Sequence, residues 1–95
     1  MGPKELYDQL PERPNYHMNR SQLIEWCEKE LDLAGKCHVV LVRNQFNDPI
    51  EFWPASVTAS FWETTAEGRR FWICSSIYAG RGYSVHPNDV LEASR

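Results

Sequence analysis

The sequence lacks any apolar run near the roughly 20 residues that a membrane-spanning helix needs. Its first residues are interrupted by charges and do not resemble the apolar stretch of a secretory signal. It has only three cysteines, Cys27, Cys37 and Cys74, with no Cys-x-x-Cys spacing. An odd number without that spacing argues against a disulfide framework and against a zinc ribbon. We therefore expect reduced thiols in a cytoplasmic protein with no membrane partner.

An excess of positive charge is also missing. The formal net charge is −3, and residues 1–35 carry four basic and seven acidic side chains. Residues 36–95 carry six of each sign. Duplex DNA needs a basic face that displaces counterions, and stacking on single-stranded RNA is also helped by positive charge. The charge balance thus argues against nucleic acid as the partner.

Catalytic and metal motifs are not recognisable. Cys37 and His38 are neighbours, so on a strand they point to opposite faces and do not form a nucleophile–base pair. His86 and Asp89 lie three residues apart at a proline turn, a spacing that favours a structural contact over acid–base chemistry. The three histidines are scattered, which argues against a metal site. We expect a non-enzymatic protein without a metal or cofactor.

What the sequence does have is three Phe-Trp pairs, Phe52-Trp53, Phe61-Trp62 and Phe71-Trp72, at steps of nine and ten residues. Each pair lies in a segment with strand character, where neighbouring side chains point to opposite faces of a sheet. Each pair therefore puts a large aromatic ring on both faces. Because a small sheet has one natural core face, a helix, a second copy or a ligand must cover or use the other.

One amphipathic helix is predicted over residues 20–34. Asn19 followed by Gln22 fits a capping box at its start, and Gly35 fits a left-handed cap at its end. The apolar stripe comprises Leu23, Ile24, Cys27, Leu31 and Ala34. Residues 1–18 contain Pro11 and Pro14 and are expected to form a loosely attached N-terminal arm, with residues 19–95 as a single domain.

The remainder reads as strands and turns. Strands are predicted over Cys37–Val42, within Ile50–Trp62, over Arg69–Tyr78 and over Tyr83–His86. Pro54 should mark an edge or bend, and Gly80-Arg81-Gly82 a turn. Pro87 is expected to open a helical turn that runs through Ala93. The fold class predicted is α+β, with the helix packed on a strongly bent antiparallel sheet of four or five strands that could close as a small barrel.

The register of the second hairpin decides which rings share a face. In one register Phe61 faces Phe71, and Trp62 faces Arg70, which could then lie over an indole as a cation–π contact. In the other, Phe61 faces Trp72 and Trp62 faces Phe71. A slip of one residue exchanges the faces, and both turn lengths are acceptable. The sequence leaves both registers open.

The stretch Phe52-Trp53-Pro54-Ala55-Ser56-Val57 resembles the Trp-Pro-Ala-x-Val segment of PWWP domains, small curved β-barrels related to Tudor domains. The resemblance extends over residues 38–92 through the order of strands and turns that follow. It implies a bent small barrel and, in that family, an aromatic cage for methylated lysine. By matching position, Phe52 and Trp53 would lie near such a cage, with Phe71 or Trp72 opposite.

Three functional hypotheses follow. The first is a small binding protein that uses an aromatic sheet face for protein association, most simply with itself as a homo-oligomer, because aromatic residues and arginine are enriched at interface centres. The second is an aromatic pocket for a small ligand or a modified peptide. The third is an inhibitor from a phage or mobile element that blocks a partner protein. The candidate binding residues are Phe52, Trp53, Trp62, Arg70 and Trp72.

Overall fold

The structure, a computed structural model, describes residues 1–74 and 83–95. The elements in chain order are helix α1 (Pro3–Asp8), helix α2 (Arg20–Ala34), strands β1 (Lys36–Arg43), β2 (Pro49–Ala55), β3 (Ser60–Thr65), β4 (Gly68–Ile73) and β5 (Tyr83–Val85), a 3-10 turn (Pro87–Asp89) and strand β6 (Val90–Ser94). The predicted α+β class is confirmed. Within the described residues, no helix is both long enough and apolar enough to cross a membrane.

The strands of the described residues form two separate antiparallel sheets of three strands each. The first sheet has the order β2-β1-β6 and the second has the order β3-β4-β5. A single bent sheet of four or five strands is therefore not confirmed, and the described strands do not close into a barrel. The reason lies at residues 56–59, where the N–H of Ala59 donates to the carbonyl of Ser56 in a tight turn. The chain there leaves the first sheet and enters the second.

Helix α2 has the predicted bounds and the predicted caps. The side chain of Asn19 accepts a hydrogen bond from the N–H of Gln22, whose own side chain accepts from the N–H of Asn19. Gly35 ends the helix with a φ of 76°, a left-handed conformation that favours glycine. Of the predicted stripe, Leu23, Cys27 and Leu31 are buried, whereas Ala34 is exposed because it lies in the last turn.

Strand β1 is the centre of a three-layer arrangement of helices, first sheet and second sheet. Its side chains alternate: Cys37 and Val39 point to the helices, and His38 and Val40 point to the second sheet. The helix-side core consists of Leu6, Leu10, Leu23, Cys27, Leu31, Cys37, Val39, Phe52 and Ala93. The inter-sheet core consists of Val40, Trp53, Ala55, Phe71 and Ile73. The predicted two-sided burial holds for residues 37–40, whereas Val42 is 41% exposed.

The N-terminal segment is an integral part of the helical layer rather than a loosely attached arm. Leu6 and Leu10 are buried in the helix-side core. The segment also covers both edges of the first sheet. The carbonyl of Pro14 accepts a hydrogen bond from the N–H of Phe52 in β2, and the carbonyl of Met1 accepts one from Ser94 in β6.

The C-terminal region differs from the expected helical turn through Ala93. Only Pro87–Asp89 are helical, after which Val90–Ser94 form β6 along β1. Ala93 is buried and its neighbour Glu92 is exposed, which is the alternation expected of a strand. The strand β1 supplies the backbone hydrogen-bond partners of this segment. The predicted Gly80-Arg81-Gly82 turn and the predicted strand beyond residue 74 lie outside the described residues.

Candidate functional site

The hairpin of β3 and β4 adopts the second of the two registers left open by the sequence. Phe61 lies opposite Trp72, and Trp62 lies opposite Phe71. The strands are joined by a tight turn that is closed by the pair Thr65 and Gly68. Because opposite residues share a face, Trp62 and Phe71 point inward to the first sheet, and Phe61 and Trp72 point outward.

The inward-facing rings belong to the packed interior. Phe71 is fully buried, and Trp62 is half-buried against it, with ring centroids 4.9 Å apart. Two further candidate residues, Phe52 and Trp53, are also buried, Phe52 in the helix-side core and Trp53 in the inter-sheet core. The structure therefore does not bring Phe52 and Trp53 to one exposed face with Trp72.

The outward-facing residues form a surface that we call the outer aromatic surface, composed of Phe61, Glu63, Arg70, Trp72 and Ser84. The exposed fraction of Phe61 is 48%, and Trp72 beside it is half-buried. The indole N–H of Trp72 donates to Glu63 Oε1 at 3.3 Å, and Arg70 donates to the hydroxyl of Ser84. These bonds hold the carboxylate of Glu63 and the guanidinium of Arg70 beside the apolar pair Phe61 and Trp72. Arg70 and Trp72 are thus the two candidate residues that the structure places on one surface.

A cation–π contact exists in the second sheet, but its partners differ from the expected ones. The guanidinium carbon of Arg69 lies 4.1 Å from the ring centroid of Trp62. In the observed register Arg69 lies two pairs along the hairpin from Trp62 and shares its inward face, whereas Arg70 points outward. The expectation that Arg70 lies over this indole was tied to the other register and is wrong.

A polar cluster that the sequence did not indicate joins the two sheets. The ring nitrogen Nε2 of His38 donates to Glu92 Oε2 at 2.6 Å, and the indole N–H of Trp62 donates to the same oxygen at 3.1 Å. Burial alone would raise the pKa of Glu92, but the hydrogen bonds from Trp62 and His38 outweigh it and lower the pKa. Glu92 is therefore a carboxylate that accepts from β1 and β3 at once.

The surroundings of His38 favour a structural role for this cluster. The imidazole is 3% exposed and packs on the ring of Phe71, with centroids 4.8 Å apart. Its other nitrogen, Nδ1, is buried without a hydrogen-bond partner among residues 1–74 and 83–95. A carboxylate-held imidazole can transfer protons, but burial closes this one to solvent. As expected, His38 and its neighbour Cys37 face opposite sides of β1.

Two of the three thiols lie together in the interior, and the third is exposed. Cys27 and Cys37 are fully buried in the helix-side core, where a hydrogen bond with Cys37 and burial both raise the pKa of the Cys27 thiol. Cys74 is exposed at the end of β4. In the part of the chain that the structure describes, no group of three or more His, Cys, Asp or Glu side chains could hold a metal ion.

The turn at His86 is held by local contacts. The Nδ1 atom of His86 accepts a hydrogen bond from the N–H of Asn88 and caps the 3-10 turn. Asp89 does not contact His86 through its side chain in these bonds; its carboxylate accepts from Arg43 Nε at 2.6 Å. Within the described part of the chain, the predicted contact between the two side chains is therefore not found; the two residues are linked only by the backbone hydrogen bond from the N–H of Asp89 to the carbonyl of His86.

A second aromatic group surrounds Trp53. Tyr16, which is 69% exposed, packs edge-on against Trp53 with ring centroids 5.1 Å apart, and His17 lies 6.1 Å from the same ring. Tyr16 and His17 are themselves only 4.4 Å apart. Rings at these spacings are in contact with one another, so Tyr16, His17 and Trp53 form one packed group.

No protein-family model matches the sequence, and the search of curated proteins found no match. The chemistry of the surfaces described above is therefore the basis for a function.

Proposed function

We propose that this protein is a small non-enzymatic binding protein that associates with a second copy of itself through the outer aromatic surface. The observation that carries the proposal is the pair Phe61 and Trp72, which lie directly opposite each other on the solvent side of the second sheet. Phe61 leaves about half of its area in water. Aromatic residues and arginine are the types that most often supply binding energy at the centre of an interface.

The charges around this pair support a copy of the same chain as the partner. Glu63 and Arg70 are cross-strand neighbours next to the Phe61–Trp72 pair, so the surface carries one acid and one base. Two identical surfaces of this kind carry no excess charge and therefore do not repel each other. A strongly acidic or basic partner would find no matching excess charge here.

Packing supports this surface over an aromatic pocket. A pocket built from the predicted residues would need Phe52 and Trp53 to line it, and both rings are already covered by other side chains. The rings around Trp53 contact one another. The outer aromatic surface combines aromatic area, an arginine and exposure to solvent.

The test is the solution mass of the protein as a function of concentration, measured by sedimentation equilibrium. We expect a reversible dimer in the wild type and a folded monomer for Phe61→Ser and for Trp72→Ser. Phe46→Ser is the matched control, because Phe46 is 74% exposed but lies in the turn between β1 and β2. Circular dichroism checks that each variant is folded.

A wild type that stays monomeric up to millimolar concentration would contradict the proposal. The same conclusion would follow if Phe46→Ser weakened the dimer as much as Phe61→Ser, because the loss would then reflect exposed phenylalanine in general. A folded monomer for both surface variants with an unchanged control would support it.

A further inference from the structure

The two sheets differ in how their edges are covered. The N-terminal segment pairs with both outer strands of the first sheet, through Pro14 on β2 and Met1 on β6. In the second sheet, β3 pairs with β4 on one side, and no backbone partner lies on its other side among residues 1–74 and 83–95. An uncovered strand edge is a template for pairing with another chain.

The hydrogen-bond pattern shows which groups that edge presents. In antiparallel pairing, residues that exchange backbone hydrogen bonds alternate with residues that do not. The N–H of Cys74 donates to the carbonyl of Ala59 at 2.7 Å, which extends the β3–β4 register by one bonded pair. The alternation then means that the backbone N–H and C=O groups of the even-numbered residues of β3 point away from β4, toward the free edge. These residues are Ser60, Trp62 and Thr64.

The side chains of β3 do not protect the edge. Proteins commonly block an edge with lysine, proline, a bulge or a very short strand. β3 has six residues in the sequence Ser-Phe-Trp-Glu-Thr-Thr, with a regular register and Glu63 as its one charge. Aromatic and threonine residues also favour strand pairing. In contrast, β5 at the opposite edge has only three residues.

We propose that β3 pairs antiparallel with β3 of a second copy across a twofold axis, so that the two sheets continue into one sheet of six strands. Trp62 lies opposite Trp62 of the copy, and Ser60 lies opposite Thr64 of the copy. In this register the outward-pointing backbone groups of Ser60, Trp62 and Thr64 all find hydrogen-bond partners in the copy. The register centred on Glu63 is unfavourable because it would oppose two carboxylates directly. The inference rests on the proposed self-association and specifies its geometry.

The pairing also explains why Phe61 lies uncovered beside the edge. In this register the two Phe61 rings are diagonal neighbours on the outer face, at a distance of roughly 7–8 Å that aromatic side chains bridge. The outer aromatic surfaces of both copies thus become one surface centred on the twofold axis. Substitution of Phe61 removes this contact between the two rings and therefore weakens the dimer, although backbone hydrogen bonds set its register.

Amide hydrogen exchange measured by NMR on the wild-type protein tests the pairing. The backbone N–H of Trp62 is expected to exchange at least about tenfold more slowly at concentrations where the dimer forms than in the dilute monomer. The N–H groups of Phe61 and Glu63, which bond to β4 within one chain, are internal controls and should respond much less. Concentration-dependent protection confined to the outward-facing amides would support the inference.

A proline variant provides the second measurement. Thr64→Pro removes an N–H that points away from β4, at an edge position where proline is tolerated. We expect at least a tenfold larger dimer dissociation constant for Thr64→Pro and less than a threefold change for Thr64→Val, which keeps the N–H. Circular dichroism confirms that both variants are folded.

The outcomes separate this inference from the proposed function. A dimer that Phe61→Ser disrupts but Thr64→Pro does not would overturn edge pairing and leave self-association through the outer aromatic surface standing. Protection of the Trp62 N–H at every concentration would overturn edge pairing too, since the edge would then be covered within one chain. A wild type that never dimerises would overturn both.

Discussion

His38 and Glu92 form a hydrogen bond of 2.6 Å between the centre strand and the edge strand of the first sheet. The carboxylate that accepts it also accepts the indole N–H of Trp62 from the second sheet. One oxygen atom therefore ties three strands together at the contact between the sheets. The contact is polar within an otherwise apolar layer, which makes it sensitive to the charge of Glu92.

The first prediction concerns the pH dependence of stability. The folded-state pKa of Glu92 is lowered, so its stabilising contribution is present above the unfolded-state pKa of about 4.3 and is lost as the pH falls through the folded-state value. Glu92→Gln should reduce the free energy of unfolding at pH 7 by about 1 kcal/mol, a modest value for a charged hydrogen bond because the side chain is 44% exposed.

Urea denaturation of both proteins from pH 7 to pH 3 measures this effect. The difference in the free energy of unfolding should shrink below about pH 4, because protonation removes the charge that the substitution removes. A difference that stays constant over this range would show that the pKa of Glu92 is the same in the folded and unfolded states, which would contradict its lowered value in the folded protein.

The second prediction compares two phenylalanines of one hairpin. Phe71 is fully buried between the sheets, whereas Phe61 is about half exposed. Phe71→Ala should lower the free energy of unfolding by about 3–5 kcal/mol because it leaves a cavity beside His38 and Trp62. Phe61→Ala should lower it by less than about 1 kcal/mol when measured where the protein is monomeric.

Equilibrium urea denaturation at low protein concentration gives both values. Equal costs for the two substitutions would mean that the hairpin has the other register in solution, because that register would place both phenylalanines on the same face.

How far the sequence predicts the fold depends on whether the determining contacts are local. The bounds of α2 were predictable because Asn19, Gln22 and Gly35 act within one turn of the helix ends. The two-sided burial of residues 37–40 was also predictable, because apolar residues dominate both faces of this segment. By contrast, the separation of β2 from β3 depends on a turn at residues 56–59 whose N–H at Val57 is held by Glu30 of α2, a contact between distant parts of the chain.

The candidate site was predictable only in part for the same reason. The Phe-Trp pairs imply rings on both faces, but the register depends on how many residues form the turn between β3 and β4, and both lengths satisfied the pattern. Arg70 and Trp72 lie on the outer surface, whereas Phe52 and Trp53 are buried because helices cover one face of β2 and the second sheet covers the other. The His38–Glu92 pair spans 54 positions in sequence and has no local signal.

The third prediction concerns Asn15, a buried amide that fastens the N-terminal segment to β2. Its side-chain nitrogen donates to the carbonyl of Phe52 at 2.9 Å, and its oxygen accepts from the N–H groups of His17 and Met18. Asn15→Ala should lower the free energy of unfolding by about 2–3 kcal/mol, because it removes the partner of the buried Phe52 carbonyl and the acceptor of two partly buried N–H groups.

Asn15→Asp is the comparison variant: it keeps the acceptor for His17 and Met18, loses the donor to Phe52 and, at neutral pH, places a buried negative charge against the carbonyl of Phe52. Its cost should therefore be larger at pH 7 than near pH 4, where a protonated carboxyl can donate to that carbonyl. Thermal unfolding followed by circular dichroism ranks the two variants, and near-wild-type stability of Asn15→Ala would show that the N-terminal segment is not fastened through this residue.

The fourth prediction distinguishes the thiols. Cys74 is exposed, whereas Cys27 and Cys37 are fully buried between α2 and β1. Only a thiolate that a reagent can reach reacts quickly, and the raised pKa of Cys27 further suppresses its thiolate. A chromogenic disulfide reagent should therefore modify one thiol rapidly in the native protein and all three in denaturant. Cys74→Ser should abolish the rapid phase; rapid modification of a second thiol would show that the helix-side core opens readily at α2.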